Sequence, residues 1–303
     1  MTDILPLDLH FKGDPHGIAS YLVRGPAGNL LIEAGPGSTL PHLHAGLAAH
    51  GLTPADIAAV LVTHIHLDHA GSAGWWARQG VPIHVHHLGA PHLIDPERLL
   101  TSARRIYTDQ MDTLWGEFLP SPAEQVFAHH DGDVIEVAGL RIIAHDTPGH
   151  ARHHFVYQLD DVAFVGDLAG VRRPESQYLR LPTPPPEFDL AAWLASVGRM
   201  RALNFRTINL THFGPLTGPA VAAHWDQVAT LLPQYAGLVQ SGLAEGADRD
   251  ALIARLVAWE AERLAAIGVP REQFPIYDGL GPNFMAVDGL IRYWQKQARP
   301  PSS

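Results

Sequence analysis

Short apolar runs separated by glycine, proline and acidic residues alternate with stretches of helical spacing through most of the chain, and helical spacing alone fills its last part. Ile18 to Arg24 and Asn29 to Glu33 are apolar runs joined by Gly25-Pro26-Ala27-Gly28, which predicts two strands and a tight turn. Glu33-Ala34-Gly35-Pro36-Gly37 breaks the second strand. Thr39 to His50 then predicts a helix with Leu40, Leu43 and Leu47 on one face and Gly51 as its stop. Thr53-Pro54-Ala55-Asp56 leads into Ala58 to Val62, a run so uniformly small and apolar that it predicts a buried strand. Ser72 to Arg78 predicts a helix and Val81 to Val85 a strand. Asp133 to Val137, Leu140 to Ala144, Phe155 to Leu159 and Val162 to Val165 predict a second sheet. Leu190 to Leu203 predicts a helix and Thr207 to Leu210 a strand. From Gly218 only helices follow, roughly Pro219 to Gly242, Asp248 to Gly268 and Pro282 to Gln297.

Two segments depart from this alternation. Residues 88–128 read as a helical insertion punctuated by Pro91, Pro96, Pro120 and Pro122, with Tyr107, Met111, Trp115 and Phe118 at helical spacing. Amphipathic stripes are usually packing faces, so one packed helix face is the plain reading; a lid whose aromatic residues lean over a site is compatible with it. Residues 172–189 hold Pro174, Pro182, Pro184, Pro185 and Pro186 with little periodicity, which predicts a stiff extended loop. No solenoid-type repeat or low-complexity segment is visible.

Composition narrows the chemistry. At 303 residues and 46% hydrophobic content the chain can bury a substantial core, as one large domain or a core with an appendage. There is no cysteine, which excludes disulfides, thiolate zinc fingers, iron–sulfur clusters and cysteine nucleophiles, so any metal has nitrogen and oxygen ligands. Net charge is −10, from 21 Lys and Arg against 31 Asp and Glu, with no dense basic run to track phosphates, so nucleic acid is not an expected partner. Met1 to Phe11 resembles neither a signal peptide nor a membrane span, which predicts a cytoplasmic, soluble protein without membrane partners. The 20 histidines outnumber any one ligand set, so each needs its own context.

That context is sharpest after Ala58 to Val62. His64, His66, Asp68 and His69 fall within six positions at the end of a strand, where imidazoles and a carboxylate would repel or desolvate one another without a cation between them. Three more residues stand just past an apolar strand and beside glycine or proline: His150 in Thr-Pro-Gly-His, Asp167 in Val-Gly-Asp, and His212 in Thr-His-Phe-Gly. The ordered set His64-x-His66-x-Asp68-His69, Thr-Pro-Gly-His150, Gly-Asp167 and Thr-His212-Phe-Gly resembles the metallo-β-lactamase-fold hydrolases, particularly the branch of glyoxalase II and the quorum-quenching lactonases.

The resemblance implies an α/β fold, an αββα sandwich over residues 1–218 with a helical extension over 219–303, and two divalent metal ions, zinc foremost with iron or manganese as alternatives. Carried over position by position, His64, His66 and His150 would hold one ion, Asp68, His69 and His212 the other, and Asp167 would bridge them. The implied reaction is attack of a metal-bridged hydroxide on a small ester, lactone or thioester, with Asp68 orienting water and passing a proton to the leaving group. No Gly-x-Ser-x-Gly motif competes with this mechanism. Other activities of the fold are the alternatives: a mononuclear iron oxidoreductase of the persulfide dioxygenase kind, a phosphodiesterase or nuclease, and a metal-bearing binding protein without turnover. Tyr107, Met111, Trp115 and Tyr178 are the candidate substrate contacts and His154 a partner that orients a ligand. His84, His86 and His87 are read as packing or surface residues, and His129, His130 and His145 as incidental. Glyoxalase II-like enzymes bind glutathione through basic residues of the helical extension. Here that extension is acidic over much of its length, with cations gathered at Arg292, Lys296 and Arg299. The expected partner is a small-molecule substrate, with a homodimer as the assembly considered.

Overall fold

The structure, a computed structural model, describes residues 2–270, 272 and 274–298. Among the described residues twelve strands form two six-stranded sheets. The first sheet runs in chain order, β1 (Asp3–Asp8), β2 (Ala19–Gly25), β3 (Gly28–Ile32), β4 (Ile57–Leu61), β5 (Ile83–His86) and β6 (Val126–His129). Its first three strands pair antiparallel and the pairs from β3 to β6 are parallel. The second sheet has the order β12-β11-β10-β9-β8-β7, with β7 (Val134–Val137), β8 (Leu140–Asp146), β9 (Phe155–Leu159), β10 (Val162–Phe164), β11 (Thr207–Leu210) and β12 (Gly214–Thr217). Only β10 and β11 pair parallel in it.

Three layers of apolar side chains hold this sandwich. Between the sheets lie Tyr21, Leu30, Ile32, Ala59, Leu61, Ile142, Tyr157 and Phe164. The residues alternating with them, Leu22, Leu31, Val60 and Val62, point the other way and meet Leu43 and Leu47 of α1 (Leu40–Ala49). Beyond α2 (Leu67–Ala70), Trp76 of α3 (Ala73–Arg78) packs in the same layer. Burial on both faces is why β3 and β4 read as continuous apolar runs rather than alternating ones. On the far side Val165, Ile208 and Leu210 meet Trp193 of α7 (Leu190–Ala202) and Trp225 and Leu232 of α8 (Pro219–Ala244). Leu256 of α9 (Arg249–Ala266) and Leu290 of α11 (Asn283–Gln297) complete that layer, with α10 (Phe274–Leu280) between them in sequence. No helix among the described residues is long and apolar enough to cross a membrane.

The 88–128 segment is helical only in part. It forms α4 (Ala90–Ile94), α5 (Glu97–Tyr107) and α6 (Met111–Trp115), and its end enters β6, parallel to β5. The expected stripe of one helix does not hold either. Thr108 (φ 47°) separates Tyr107 from Met111, and Gly116 (φ 65°) ends the helix before Phe118, because both take left-handed backbone that no α-helix continues. Met111, Trp115 and Phe118 still share one buried layer, reached by a folded-over chain. The strands β1, β6 and β12 and the helix α10 were not legible in the sequence pattern. Arg299 and residues 300–303 of the expected extension lie outside the described residues.

Candidate metal centre and cleft

The C-terminal ends of β4, β8, β10 and β11 meet at one edge of the sandwich, and each carries part of a single cluster. After β4, His64 and His66 lie in the connection to α2, whose first turn carries Asp68 and His69. After β8 the chain passes through Gly149 to His150, and after β10 through Gly166 to Asp167. His212 follows β11. Glycine is required at both turns. Gly149 has φ +143° and a Cβ there would lie 2.3 Å from Trp193; Gly166 has φ +48° and a Cβ would lie 2.6 Å from His154 Nε2.

The seven residues fall into groups that could hold metal ions: His64, His66 and His150; Asp68, His69 and His212; and His64, His69 and Asp167. His66 Nδ1 lies 2.9 Å from His64 Nε2 and 2.9 Å from His150 Nε2. Their opposite edges are occupied. His64 Nδ1–H donates to Thr63 Oγ1 (3.1 Å), His150 Nδ1–H to the Pro182 carbonyl (2.9 Å) and His212 Nδ1–H to the Gly17 carbonyl (2.9 Å). Three Nε2 lone pairs are thereby fixed toward the cluster. Asp167 faces both sides: Oδ2 is 3.2 Å from His150 Nε2, and Oδ1 is 3.2 Å from His69 Nε2 and 3.3 Å from His212 Nε2. Yet His69 Nε2 and Asp167 Oδ1 are buried without a hydrogen-bond partner, close in distance but wrongly directed for one. Acceptors converging on a common point fit cations.

Electrostatics agree. Burial, reinforced by neighbouring imidazoles, pushes His64 well below its usual value and His66 to about 3. Burial would do the same to His212, but Asp167 and Asp68 outweigh it and raise His212 to about 10; Asp68 and Glu33 likewise raise His69. Burial alone would lift Asp68, whereas His69 and His212 bring it down to about 2. The carboxylates thus demand positive charge, which protons on His69 and His212 supply and divalent cations would replace.

Glu33, read from the sequence only as part of a strand break, is integral to the site. It is 1% exposed and follows β3, which is parallel to β4. Its Oε1 accepts from His69 Nδ1–H (2.9 Å), Thr63 Oγ1–H (2.6 Å) and Thr211 Oγ1–H (3.0 Å), and its Oε2 from the Thr63 backbone N–H (3.1 Å). The available signal was the one used for the ligands: a charged residue just past an apolar strand and beside glycine. His154 is a buried neutral imidazole. Its Nδ1–H donates to Thr147 Oγ1 (2.8 Å) and its Nε2 accepts from the Asp167 backbone N–H (3.1 Å), so it holds the peptide carrying Asp167.

A cleft of about 570 Å³ opens over the cluster, with His66, Asp68, His150 and Asp167 at its base. Phe11, Ile65, Ile106, Trp115, Phe284 and Met285 give it apolar walls, and Pro182 to Pro186 form one side. Tyr107 lines it, with its hydroxyl 3.5 Å from Met285 Sδ and its ring edge-on to Trp115. His153 also lines it, with Nε2 3.3 Å from Glu187. Met111 does not; it is buried in the layer behind Trp115. Tyr178 is a correction. It packs on Tyr277 and under Arg263, away from the cleft, because residues 172–180 turn toward α9 and α10 before the proline run returns to the site.

Two mixed sheets between helices, with a histidine and aspartate cluster at one strand-end edge, define an αββα metallohydrolase-type scaffold. The family model described as the Metallo-beta-lactamase superfamily matches residues 13–212, and the chain belongs to that family. It is 34% identical over 156 residues to the atrochrysone carboxyl ACP thioesterase of Aspergillus fumigatus, covering 50% of this chain and 39% of that protein. It is 25% identical over 173 residues to a metallo-beta-lactamase fold-containing protein of Sulfurisphaera tokodaii, covering 56% of this chain and 65% of that one. The match therefore spans less than two-thirds of these relatives. Among solved structures, a metallo-beta-lactamase family protein from Thermus thermophilus superposes with a TM-score of 0.66 at 20% identity, covering 98% of this chain and 93% of that one.

Proposed function

We propose that this chain is a metal-dependent hydrolase of a thioester with an apolar acyl group, small esters and lactones being the neighbouring substrate classes. The observation that carries the reading is the convergence of imidazole and carboxylate lone pairs on one point at the base of an apolar cleft. The naming of the Aspergillus fumigatus relative, and of a second in Aspergillus chevalieri, as atrochrysone carboxyl ACP thioesterases favours the thioester among the three classes.

His64, His66 and His150 would hold one ion and Asp68, His69 and His212 a second, with Asp167 turned to both groups. A set rich in imidazole with carboxylate and no thiolate suits zinc first, with iron or manganese as the alternatives. Ions so held supply Lewis acidity for the carbonyl and bring a bound water's pKa toward neutrality. The remaining work falls to the chain itself. Glu33 fixes the tautomer and tilt of His69, and His154 fixes the peptide of Asp167. Asp68, held ionised and 17% exposed, faces the cleft, where its carboxylate can take a proton from the attacking water and return it to the leaving thiolate. The aromatic and aliphatic walls hold the acyl group and keep other water out.

The test is a panel of thioesters, esters and lactones assayed with protein of measured metal content. Hydrolysis is expected, and Asp167→Ala should lose metal and turnover together. A fully loaded protein that cleaves nothing on the panel, or one that holds iron alone and consumes oxygen with a persulfide, would overturn the reading.

A further inference from the structure

His153 lines the cleft beside the metal cluster without belonging to it. Its ring lies 5.6 Å from that of His66, edge to face, and 6.1 Å from that of His64, nearly parallel to it. The segment that carries it is pinned at both ends, by His150 Nδ1–H on the Pro182 carbonyl and by His154 between Thr147 Oγ1 and the Asp167 peptide. The side chain is 9% exposed, yet Nδ1 is buried with no hydrogen-bond partner. For packing alone an apolar side chain would be less costly there.

The other nitrogen faces a carboxylate. Nε2 is 3.3 Å from Glu187 Oε2, which also accepts the Arg152 backbone N–H (3.1 Å). Glu187 thus keeps the proton on Nε2, but the contact is longer than the about 2.9–3.0 Å of a well-formed N–H···O bond, so that N–H can be shared. Donors are scarce on this side of the cleft. Pro182, Pro184, Pro185 and Pro186 carry no N–H, and the Thr183 hydroxyl is committed to the Ala286 carbonyl (3.1 Å). A substrate oxygen lying beside His66 therefore meets in His153 an N–H that the proline wall cannot supply.

We propose that His153 is a further catalytic residue whose Nε2–H donates a hydrogen bond to the carbonyl oxygen of the bound substrate. This rests on the hydrolase reading above. As the water oxygen adds to the acyl carbon, the carbonyl π pair moves onto oxygen, and the N–H stabilises that charge without giving up its proton. When the C–S bond breaks the pair returns to the carbonyl, and the thiolate takes the proton held by Asp68.

The experiment pairs turnover of a panel thioester with calorimetric binding of an alkyl methylphosphonate, a tetrahedral anion that copies the charge of the intermediate, both on metal-loaded protein. His153→Leu should cut kcat about 100-fold with KM changed by no more than about twofold, and weaken phosphonate binding about tenfold. Bound metal, by elemental analysis, should stay at the wild-type level. His153→Gln, whose amide reaches the position of Nε2, should recover most of both losses. His153→Asn, whose amide reaches only that of Nδ1, should not, and it carries the test if the apolar variant does not fold. Unchanged kcat or unchanged phosphonate affinity in His153→Leu and His153→Asn, loss of their metal, or no phosphonate binding by the wild type would overturn the inference while a hydrolysed panel substrate keeps the hydrolase reading. If phosphonate affinity falls as expected but the wild type hydrolyses nothing on the panel, the oxyanion donor stands and the hydrolase reading falls.

Discussion

Glu33 shows how much of this centre depends on residues behind the ligands. Its carboxylate is buried, takes four donors, and holds His69 by Nδ1 so that Nε2 faces inward. Glu33→Gln keeps the size but offers an amide N–H₂ where either His69 or a threonine must donate, so at least one buried donor loses its acceptor. Metal affinity should fall about 10–100-fold, as for other partners of metal-bound histidines. The folded content should change little. Competition with a chromogenic chelator measures the first and circular dichroism the second. Unaltered metal affinity would restrict Glu33 to tethering β3 to β4.

At the scale of elements, the turns leaving the strands set the ligand positions. Gly149 is the strictest of them, because a side chain there would strike the backbone of Trp193 at the start of α7, and a helix backbone cannot move aside cheaply. Gly149→Ala should destabilise the protein by about 1–3 kcal/mol through left-handed strain and overpacking, and reduce bound metal because His150 is the next residue. Denaturant unfolding with elemental analysis checks both, and full stability with full metal would show that the turn re-forms elsewhere. These turns also explain what the sequence could convey. Each residue of the cluster stands just past an apolar strand in a short signature, so the convergence of His64 through His212 was readable without any tertiary knowledge. Glu33 was less so, since its partners Thr63, His69 and Thr211 come from two other strand ends. Strands buried on both faces announced themselves as apolar runs. The three unread ones, β1, β6 and β12, are all sheet edges, where exposure and the prolines Pro6 and Pro215 dilute the pattern. The cleft wall from α10 and the start of α11 was illegible for a different reason. Nothing local in Phe274 to Met285 says that it folds back over a site built from residues between His64 and His212.

Across the whole molecule, the helices after β12 are tied to the metal centre by His224. This residue of α8 is fully buried. Its Nε2–H donates to the Ala169 carbonyl (2.8 Å), in the turn that carries Asp167, and its Nδ1 accepts from the Arg172 guanidinium (3.3 Å). Burial, with Arg172 adding to it against the favourable Ala169 bond, lowers its pKa from 6.5 to about 4. The sign follows directly. Below 6.5 the unfolded chain takes up a proton that the folded one refuses, so this contribution is complete above pH 6.5 and is lost as pH falls through 4. Between pH 7 and 4.5 it amounts to about 2–3 kcal/mol. Other buried histidines add acid sensitivity of their own, so the diagnostic quantity is a difference between proteins. In His224→Gln, whose amide can still donate to Ala169, urea unfolding of chelator-treated protein should lose about 2–3 kcal/mol less than wild type over that range. An identical loss in both proteins would mean that His224 becomes protonated without cost. A smaller loss in the variant would place acid lability at the junction of α8 with the turn that carries Asp167.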